Sequence, residues 1–372
     1  MKIGIDCRLF SSNFTGIGRY THELVTNIIE MNRKLPEPHE LVLFFNNPEY
    51  KEFRSLQPVK KVLVRAKHYS FAEQWRFWRK LVKEKCDVVH FPHFNKPILY
   101  RDKYTLTIHD LTLSMFPGKK MTKWYHRLAY HLVISSAIKK AKHVIAISEN
   151  TKKDIVEHFR IKPEQIEVVY NGVNEEFDLM KDPEETKKTL RKYGISKQFL
   201  LYAGVWRNHK NLVRLIEAFE KVREESDLML VITGKPDPHY PEVQDKVKEL
   251  GLEEVVIFPG MVSENELVHL YTAATIFVFP SLYEGFGLPP LEAMRCGTPV
   301  VASNTSSIPE ICGEGNAIFF DPYIVSDIAE KIMMVYKDAG LQAQLIQRGA
   351  KRAADFSWDK MSEDTFKIIQ DV

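Results

Sequence analysis

The stretch Ser281-Leu282-Tyr283-Glu284-Gly285-Phe286-Gly287-Leu288-Pro289-Pro290-Leu291-Glu292-Ala293-Met294-Arg295-Cys296-Gly297-Thr298-Pro299-Val300-Val301-Ala302 decides the fold. An apolar strand, Thr275–Phe279, runs into it, and a loop with two glycines, Gly285 and Gly287, follows. Pro289 suits the first position of a helix, where its missing N–H costs nothing. That helix is expected to reach Cys296, with Gly297 just past its end, and Pro299–Ala302 reads as the next strand. Strand, glycine loop, helix, strand is the repeating unit of a parallel sheet. The backbone amides of Gly285, Phe286, Gly287 and Leu288 would point at one spot, which favours an anion such as phosphate. Glu284 precedes the helix and Glu292 is expected in its first turn. Two carboxylates beside an anion site avoid the phosphates, so they are expected to grip hydroxyls. A molecule with phosphates and with hydroxyls on either side of them is a nucleotide sugar.

The same alternation extends in both directions. Strands are expected at Lys2–Asp6, Leu41–Phe45, Val88–Phe91, Thr105–Ile108, Val144–Ile147 and Ile166–Val169, then at Phe199–Ala203, Met229–Thr233, Val255–Phe258, Thr275–Phe279 and Val300–Ala302. Amphipathic helices fit about 18–31, 71–85, 122–141, 149–159 and 209–224. Ser148 reads as an N-cap, and Ser263-Glu264-Asn265-Glu266 as a capping box. Residues 174–198 are polar with little strand character and read as a linker. The expectation is α/β: an N-terminal domain over 1–173, the linker over 174–198, a second domain over 199–355, and a terminal segment over 356–372. Each domain is expected to be a doubly wound parallel sheet. Facing each other across a cleft, the two would bind ligand outside the carboxyl ends of their strands.

Composition narrows the class. The chain has 372 residues, with 44% hydrophobic residues and a net charge of +3. Residues 1–175 carry 30 Lys+Arg against 18 Asp+Glu, a balance of +12, and the remainder balances at −9. A basic half points to an anionic partner: nucleic acid, a phosphorylated substrate or an anionic lipid surface. Cys7, Cys86, Cys296 and Cys312 are scattered, which argues against a disulfide framework or a zinc site and fits a reducing cytosol. The chain opens on a strand and has no run of 18 apolar residues, so the expected location is cytoplasmic.

Other residues join the candidate site. Arg207 and Lys210, in Trp206-Arg207-Asn208-His209-Lys210-Asn211, lie between a strand and a helix, where two cations could neutralise a leaving diphosphate. Gly16 and Gly18, in Thr15-Gly16-Ile17-Gly18-Arg19-Tyr20, fail the dinucleotide fingerprint, because Thr21 stands where a third glycine is needed. His109 ends a strand, where cleft residues gather, although a lone histidine is more often structural. His90 and His93 also follow a strand and are read as cleft lining rather than metal ligands. In the basic segment 71–85, Phe71, Trp75, Trp78, Leu81 and Val82 recur at helical spacing. That stripe fits either packing on the sheet or contact with a membrane surface.

The string Glu284-Gly285-Phe286-Gly287 with Glu292 resembles the donor-site signature of retaining GT-B glycosyltransferases, the enzymes grouped with sucrose synthase and bacterial lipid and O-antigen mannosyltransferases. The resemblance covers nearly the whole chain, from Gly16-Ile17-Gly18-Arg19-Tyr20 to Phe356-Ser357-Trp358. It implies transfer of a hexose, mannose from GDP-mannose, to an acceptor hydroxyl with retention, the acceptor being a glycan or a lipid-linked glycan. It implies Arg207 and Lys210 on the donor diphosphate, Glu284 on sugar hydroxyls and Glu292 on the ribose. Gly16 and Gly18 would close on the donor phosphate, and His109 would lie near the transferred sugar. Residues 356–372 would cross back to the first domain. No cofactor, metal or nucleic acid is expected, and the enzyme could sit peripherally on the inner face of a membrane. A nucleotide-sugar epimerase, a phosphorylase and a basic RNA- or lipid-binding module are the competing readings; the last leaves Glu284 and Glu292 idle.

Overall fold

The computed structural model describes residues 1–10, 16–46, 49–55, 57–66, 68, 70–116, 124–174, 177 and 182–372. They form two compact units. Unit 1 holds the described residues up to Gly172 together with Ser357–Val372, and unit 2 is Val173–Phe356.

Unit 1 contains β1 (Lys2–Asp6), β2 (Glu40–Phe45), β3 (Lys60–Leu63), β4 (Val88–Phe91), β5 (Tyr104–Ile108), β6 (His143–Ala146) and β7 (Ile166–Val168). They build one sheet in the order β3-β2-β1-β4-β5-β6-β7, parallel throughout. Unit 2 contains β8 (Phe199–Ala203), β9 (Met229–Thr233), β10 (Val256–Gly260), β11 (Ile276–Phe279), β12 (Val300–Ser303) and β13 (Ile318–Phe320). Its order is β10-β9-β8-β11-β12-β13, again all parallel. The central strands are apolar at nearly every position because both faces are covered; every residue of β8, β9 and β11 is buried.

Both strand orders contain a switch point, the place where the connections leave in opposite directions. In unit 2 it lies between β8, whose connection runs to β9, and β11, whose connection runs to β12. In unit 1 it lies between β1 and β4. Ligand crevices of doubly wound sheets open at such points.

The loops after β8 and β9 approach closely through glycines. A Cβ on Gly234, where φ is +121°, would lie 1.9 Å from the Gly204 carbonyl oxygen. The expected caps are present: the Ser148 hydroxyl accepts from Thr151 N at 3.0 Å, and Ser263 and Glu266 form a reciprocal capping box.

Several expectations change. β3 and β13 were not expected; both are edge strands, one opening on two lysines and the other three residues long. Lysine and shortness are how edges resist pairing, and both weaken an apolar pattern. The stretch 174–198, expected as a linker, has regular structure among its described residues. It contains the helix Pro183–Lys192, capped by Asp182 and held to the helix Glu264–Ala273 by Thr186 Oγ1 to His269 Nδ1 at 2.9 Å and by a Lys192–Glu266 pair at 2.5 Å. Its polarity is that of a surface helix, and the chain changes unit at Gly172–Val173. At the other end, the helix Trp358–Gln370 packs on the helix Gly16–Arg33, with Asn27 Nδ2 donating to Asp359 Oδ1 at 3.0 Å.

The helix Phe71–Glu84 turns only part of the stripe in its sequence inward: Leu81 is buried and Trp78 packs on the core, but Phe71, Trp75 and Val82 are exposed. Glu73, Phe77, Leu81 and Glu84 are its buried positions, while Phe71 is 97% and Trp75 55% exposed. The reason is electrostatic. Arg8, buried beyond the end of β1, pairs with Asp6 at 2.8 Å and with Glu73, and Asn95 Nδ2 donates to Glu73 at 2.9 Å. A carboxylate so well satisfied can be buried, and it turns the helix with it.

Lys96 is a buried cation of unit 1 with no acidic partner among the described residues. Its Nζ donates only to the carbonyls of Pro97 at 3.1 Å and Tyr100 at 3.3 Å, and burial pushes its pKa down to about 8. The unfolded chain, with an ordinary value of about 10.4, binds more protons between those two pH values, so the cost is full below about 8 and disappears as pH rises toward 10.4. Lys96→Met is expected to raise stability at pH 7 by on the order of 2–3 kcal/mol. Melting curves of variant and parent between pH 7 and 10 should show that advantage shrinking.

Candidate functional site

The site is built at the unit 2 switch point. After β8 the chain runs extended through Arg207 (φ −150°), makes a short turn over Asn208–Lys210, and enters the helix Leu212–Arg223 through Asn211, whose backbone is left-handed at φ +59°. The helix therefore starts at Leu212, later than the pattern from 209 implied. Asparagine tolerates this conformation, and its Nδ2 donates to Pro322 O at 2.7 Å. After β11 the chain forms the loop Ser281–Gly287 and enters the helix Leu288–Arg295. Gly287 has φ +107° and ψ +56°, a backbone that only glycine adopts without strain. Pro289 falls one position inside the helix start, where first-turn amides still lack helical partners.

Leu282 N donates to His209 O at 2.7 Å and ties the two loops together. Across that tie Lys210 Nζ meets Glu284 Oε1 at 2.5 Å. Both side chains are largely buried, 13% and 14% exposed. The pair is charge-assisted in a site of reduced polarity, so each partner fixes the other. Arg207 differs from Lys210: it is exposed, and its guanidinium pairs with no acidic side chain among the described residues.

Glu284 is held by its backbone as well. Its N–H donates to Ser306 Oγ at 2.8 Å, and its carbonyl accepts from Ser306 Oγ at 2.8 Å and from Ser307 Oγ at 3.0 Å. Ser307 Oγ also lies 2.8 Å from Phe286 O, so its one hydroxyl proton is shared between the two carbonyls. These serines follow β12, the sheet neighbour of β11. Sequence reasoning missed them, because Asn304-Thr305-Ser306-Ser307 has the composition of any turn.

Glu292 lies in the second turn of its helix, not the first, because the helix begins at Leu288. It is buried, and its Oε2 accepts from Tyr271 Oη at 3.0 Å. Gly285, Phe286, Gly287 and Leu288 are where the sequence placed them, between Glu284 and Glu292, and Leu288 is the first helical residue.

The remaining candidates belong to unit 1. Gly16 and Gly18 are not in a loop; they form the first turn of the helix Gly16–Arg33. His109 follows β5. Its Nε2 lies 2.7 Å from Pro92 O, and a carbonyl only accepts, so Nε2 carries the proton and Nδ1 is left as an acceptor. The Tyr20 ring meets the imidazole edge-on at 4.8 Å, and burial lowers the histidine's pKa, which keeps it neutral. His90 does not line a cleft: it lies within β4, fully buried, with Nδ1 2.8 Å from Thr105 Oγ1. Burial lowers its pKa to about 3. Among the described residues no group of three or more His, Cys, Asp or Glu side chains could hold a metal ion.

Two family models match the chain: glycosyl transferases group 1 over residues 182–352 and glycosyltransferase family 4 over residues 14–177. An uncharacterised glycosyltransferase of Methanocaldococcus jannaschii is 30% identical over 301 residues, covering 77% of this chain and 76% of that one. The chain belongs to the glycosyl transferases group 1 family. The glycosyltransferase is also 28% identical to O-antigen chain mannosyltransferase B of Escherichia coli, over the full length of both chains. A solved structure of Anabaena HepE in complex with UDP-glucose superposes with a TM-score of 0.77 at 17% identity, covering 100% of both chains. The fold is thus α/β of the GT-B class, two doubly wound parallel-sheet units.

Breaking the Lys210–Glu284 pair should cost stability. In Lys210→Met the Glu284 carboxylate loses its cation in a largely buried place, an expected loss of about 1–3 kcal/mol. Lys210→Met/Glu284→Gln should lose less than the two single changes summed. Denaturant unfolding of the four proteins checks this, and strict additivity would show that the two side chains do not depend on each other.

Proposed function

We propose that this glycosyltransferase moves a hexose, mannose carried by GDP, from a nucleotide diphosphate sugar to an acceptor hydroxyl during polysaccharide assembly, with retention of anomeric configuration and without a metal. The observation that carries the reading is the Lys210–Glu284 pair at the switch point, where β8 and β11 deliver a cation and a carboxylate to one spot. As the donor bond breaks, negative charge grows on the departing diphosphate. Lys210, the exposed Arg207 and the amides around Gly285–Leu288 are the groups that would stabilise it, a preorganised electrostatic contribution. Glu284 takes sugar hydroxyls, and Glu292, held by Tyr271, takes the ribose. His109 presents Nδ1 to a hydroxyl of sugar or acceptor. The acceptor proton goes to the leaving phosphate, since no separate carboxylate base is apparent. Mannose and polysaccharide assembly are supported by the full-length similarity to an O-antigen mannosyltransferase.

A lipid-linked acceptor has its own support. Phe71 and Trp75 stand exposed on a helix that also carries Arg76, Arg79, Lys80 and Lys83, a combination suited to an anionic membrane surface. Among the described residues no helix is long and apolar enough to cross a membrane.

A panel of sugar nucleotides scored by thermal shift and by release of nucleoside diphosphate tests the donor; GDP-mannose should give the largest response, and the product's anomeric signal should match the donor's. Activity should persist in EDTA. Glu284→Gln should remove most transfer, and Arg207→Ala and Lys210→Ala should each lower turnover by roughly a hundredfold at saturating donor. Wild-type turnover in all three variants would move the donor site elsewhere.

Sedimentation with vesicles tests the membrane reading. Anionic vesicles should bind the protein at low salt and release it at high salt, with each basic residue contributing on the order of 1 kcal/mol. Replacing Arg76, Arg79, Lys80 and Lys83 by Gln should weaken this binding and leave donor binding intact.

A further inference from the structure

Among the described residues, five that are not glycine have positive φ: Arg65, Lys85, Arg160, Asn211 and Ser306. Lys85 and Arg160 end helices, an ordinary place for such a backbone. Asn211 and Ser306 flank the Lys210–Glu284 pair, one next to the lysine in sequence and the other hydrogen-bonded to the glutamate. Residues held in sparsely populated backbone regions persist where the surroundings over-determine them, and they gather at functional sites.

Ser306 is the more unusual. Serine at φ +54° is less readily accommodated than asparagine. Its hydroxyl, however, is fully used. It donates to Glu284 O at 2.8 Å, accepts from Glu284 N at 2.8 Å and accepts from Ser307 N at 2.6 Å. One donor and two acceptor positions are all that a hydroxyl has. Both backbone groups of one residue are thus closed onto one side chain 22 residues away. Ser307, at an ordinary φ of −75°, adds a second hydroxyl to the same carbonyl.

We propose that Ser306 is a positioning residue for the transfer reaction: its hydroxyl fixes the backbone of Glu284, and through it the carboxylate that faces Lys210. The proposal rests on the reading of Glu284 as a donor-contacting residue. Glycine supplies the same clamp geometry at φ +54° but no hydroxyl, and misplacement of a contacting group by about 1 Å is enough to cost about a hundredfold in rate.

Ser306→Gly separates the two demands, since glycine keeps the backbone at ease. Release of nucleoside diphosphate is measured with GDP-mannose, or with whichever sugar nucleotide of the panel the wild-type protein turns over. Ser306→Gly should lower kcat by tenfold or more with its melting temperature within a few degrees of the parent. In a Glu284→Gln background the same change should have little further effect, because its target is gone. Ser307→Ala, free of any left-handed backbone, should show a smaller loss with the same dependence on Glu284, and it serves if Ser306→Gly does not fold. Wild-type kcat in Ser306→Gly, or an equal loss with and without the Glu284 carboxylate, would overturn the positioning role alone. Full activity in Glu284→Gln would instead overturn the reading of Glu284 on which it rests.

Discussion

Parallel strands cannot be joined at one end of a sheet by a tight turn; each connection must cross over and return. A sheet begun in the middle must therefore send one connection left and another right, and the two central strands end with nothing bridging their carboxyl ends. In unit 2 those strands are β8 and β11. Their loops diverge from a common origin, so the lysine on one and the glutamate on the other meet although 74 residues separate them. The Leu282–His209 hydrogen bond, the Lys210–Glu284 pair and the serine clamp from β12 all secure an opening that the topology creates.

The same constraint acts in unit 1 with a different outcome. There the switch point lies between β1 and β4, and the chain fills it with its own charges. Arg8 after β1 donates to Asp6 and to the Asn95 carbonyl beyond β4, while Glu73 enters from the helix Phe71–Glu84. One guanidinium between two carboxylates and an amide satisfies each buried group, which is what allows burial at all. The comparable crevice at unit 2 holds, among the described residues, the Lys210–Glu284 pair and the exposed Arg207. Two sheets of like construction thus carry different polar residues at their centres.

The strands were legible in the sequence wherever both faces are covered, because total burial leaves a continuous apolar run, as in Phe199–Ala203. They were not legible at β3, where two lysines on an edge disguise four residues of sheet. Glu284 and Lys210 were legible because a carboxylate and a cation beside glycine loops are unusual. Ser306 and Ser307 were not, since a hydroxyl that clamps a distant backbone has the same letter as one that faces water. The inward face of the helix Phe71–Glu84 was hidden for a related reason. Its aromatic residues outweigh Glu73 in any hydrophobic pattern, and only the three-dimensional position of Arg8 explains why the carboxylate is the buried one.

Gly172 lies against the backbone of Trp358, where a Cβ would come within 2.1 Å of the amide nitrogen. The last helix thus belongs to the unit that the chain began, and its buried residues Phe366 and Ile369 complete that unit's exterior layer. During synthesis this has a consequence for timing. Unit 2, whose described residues all lie between Val173 and Phe356, can fold as it leaves the ribosome. Unit 1, although its seven strands precede unit 2 in the chain, keeps an apolar flank uncovered until Ser357–Val372 has also been made.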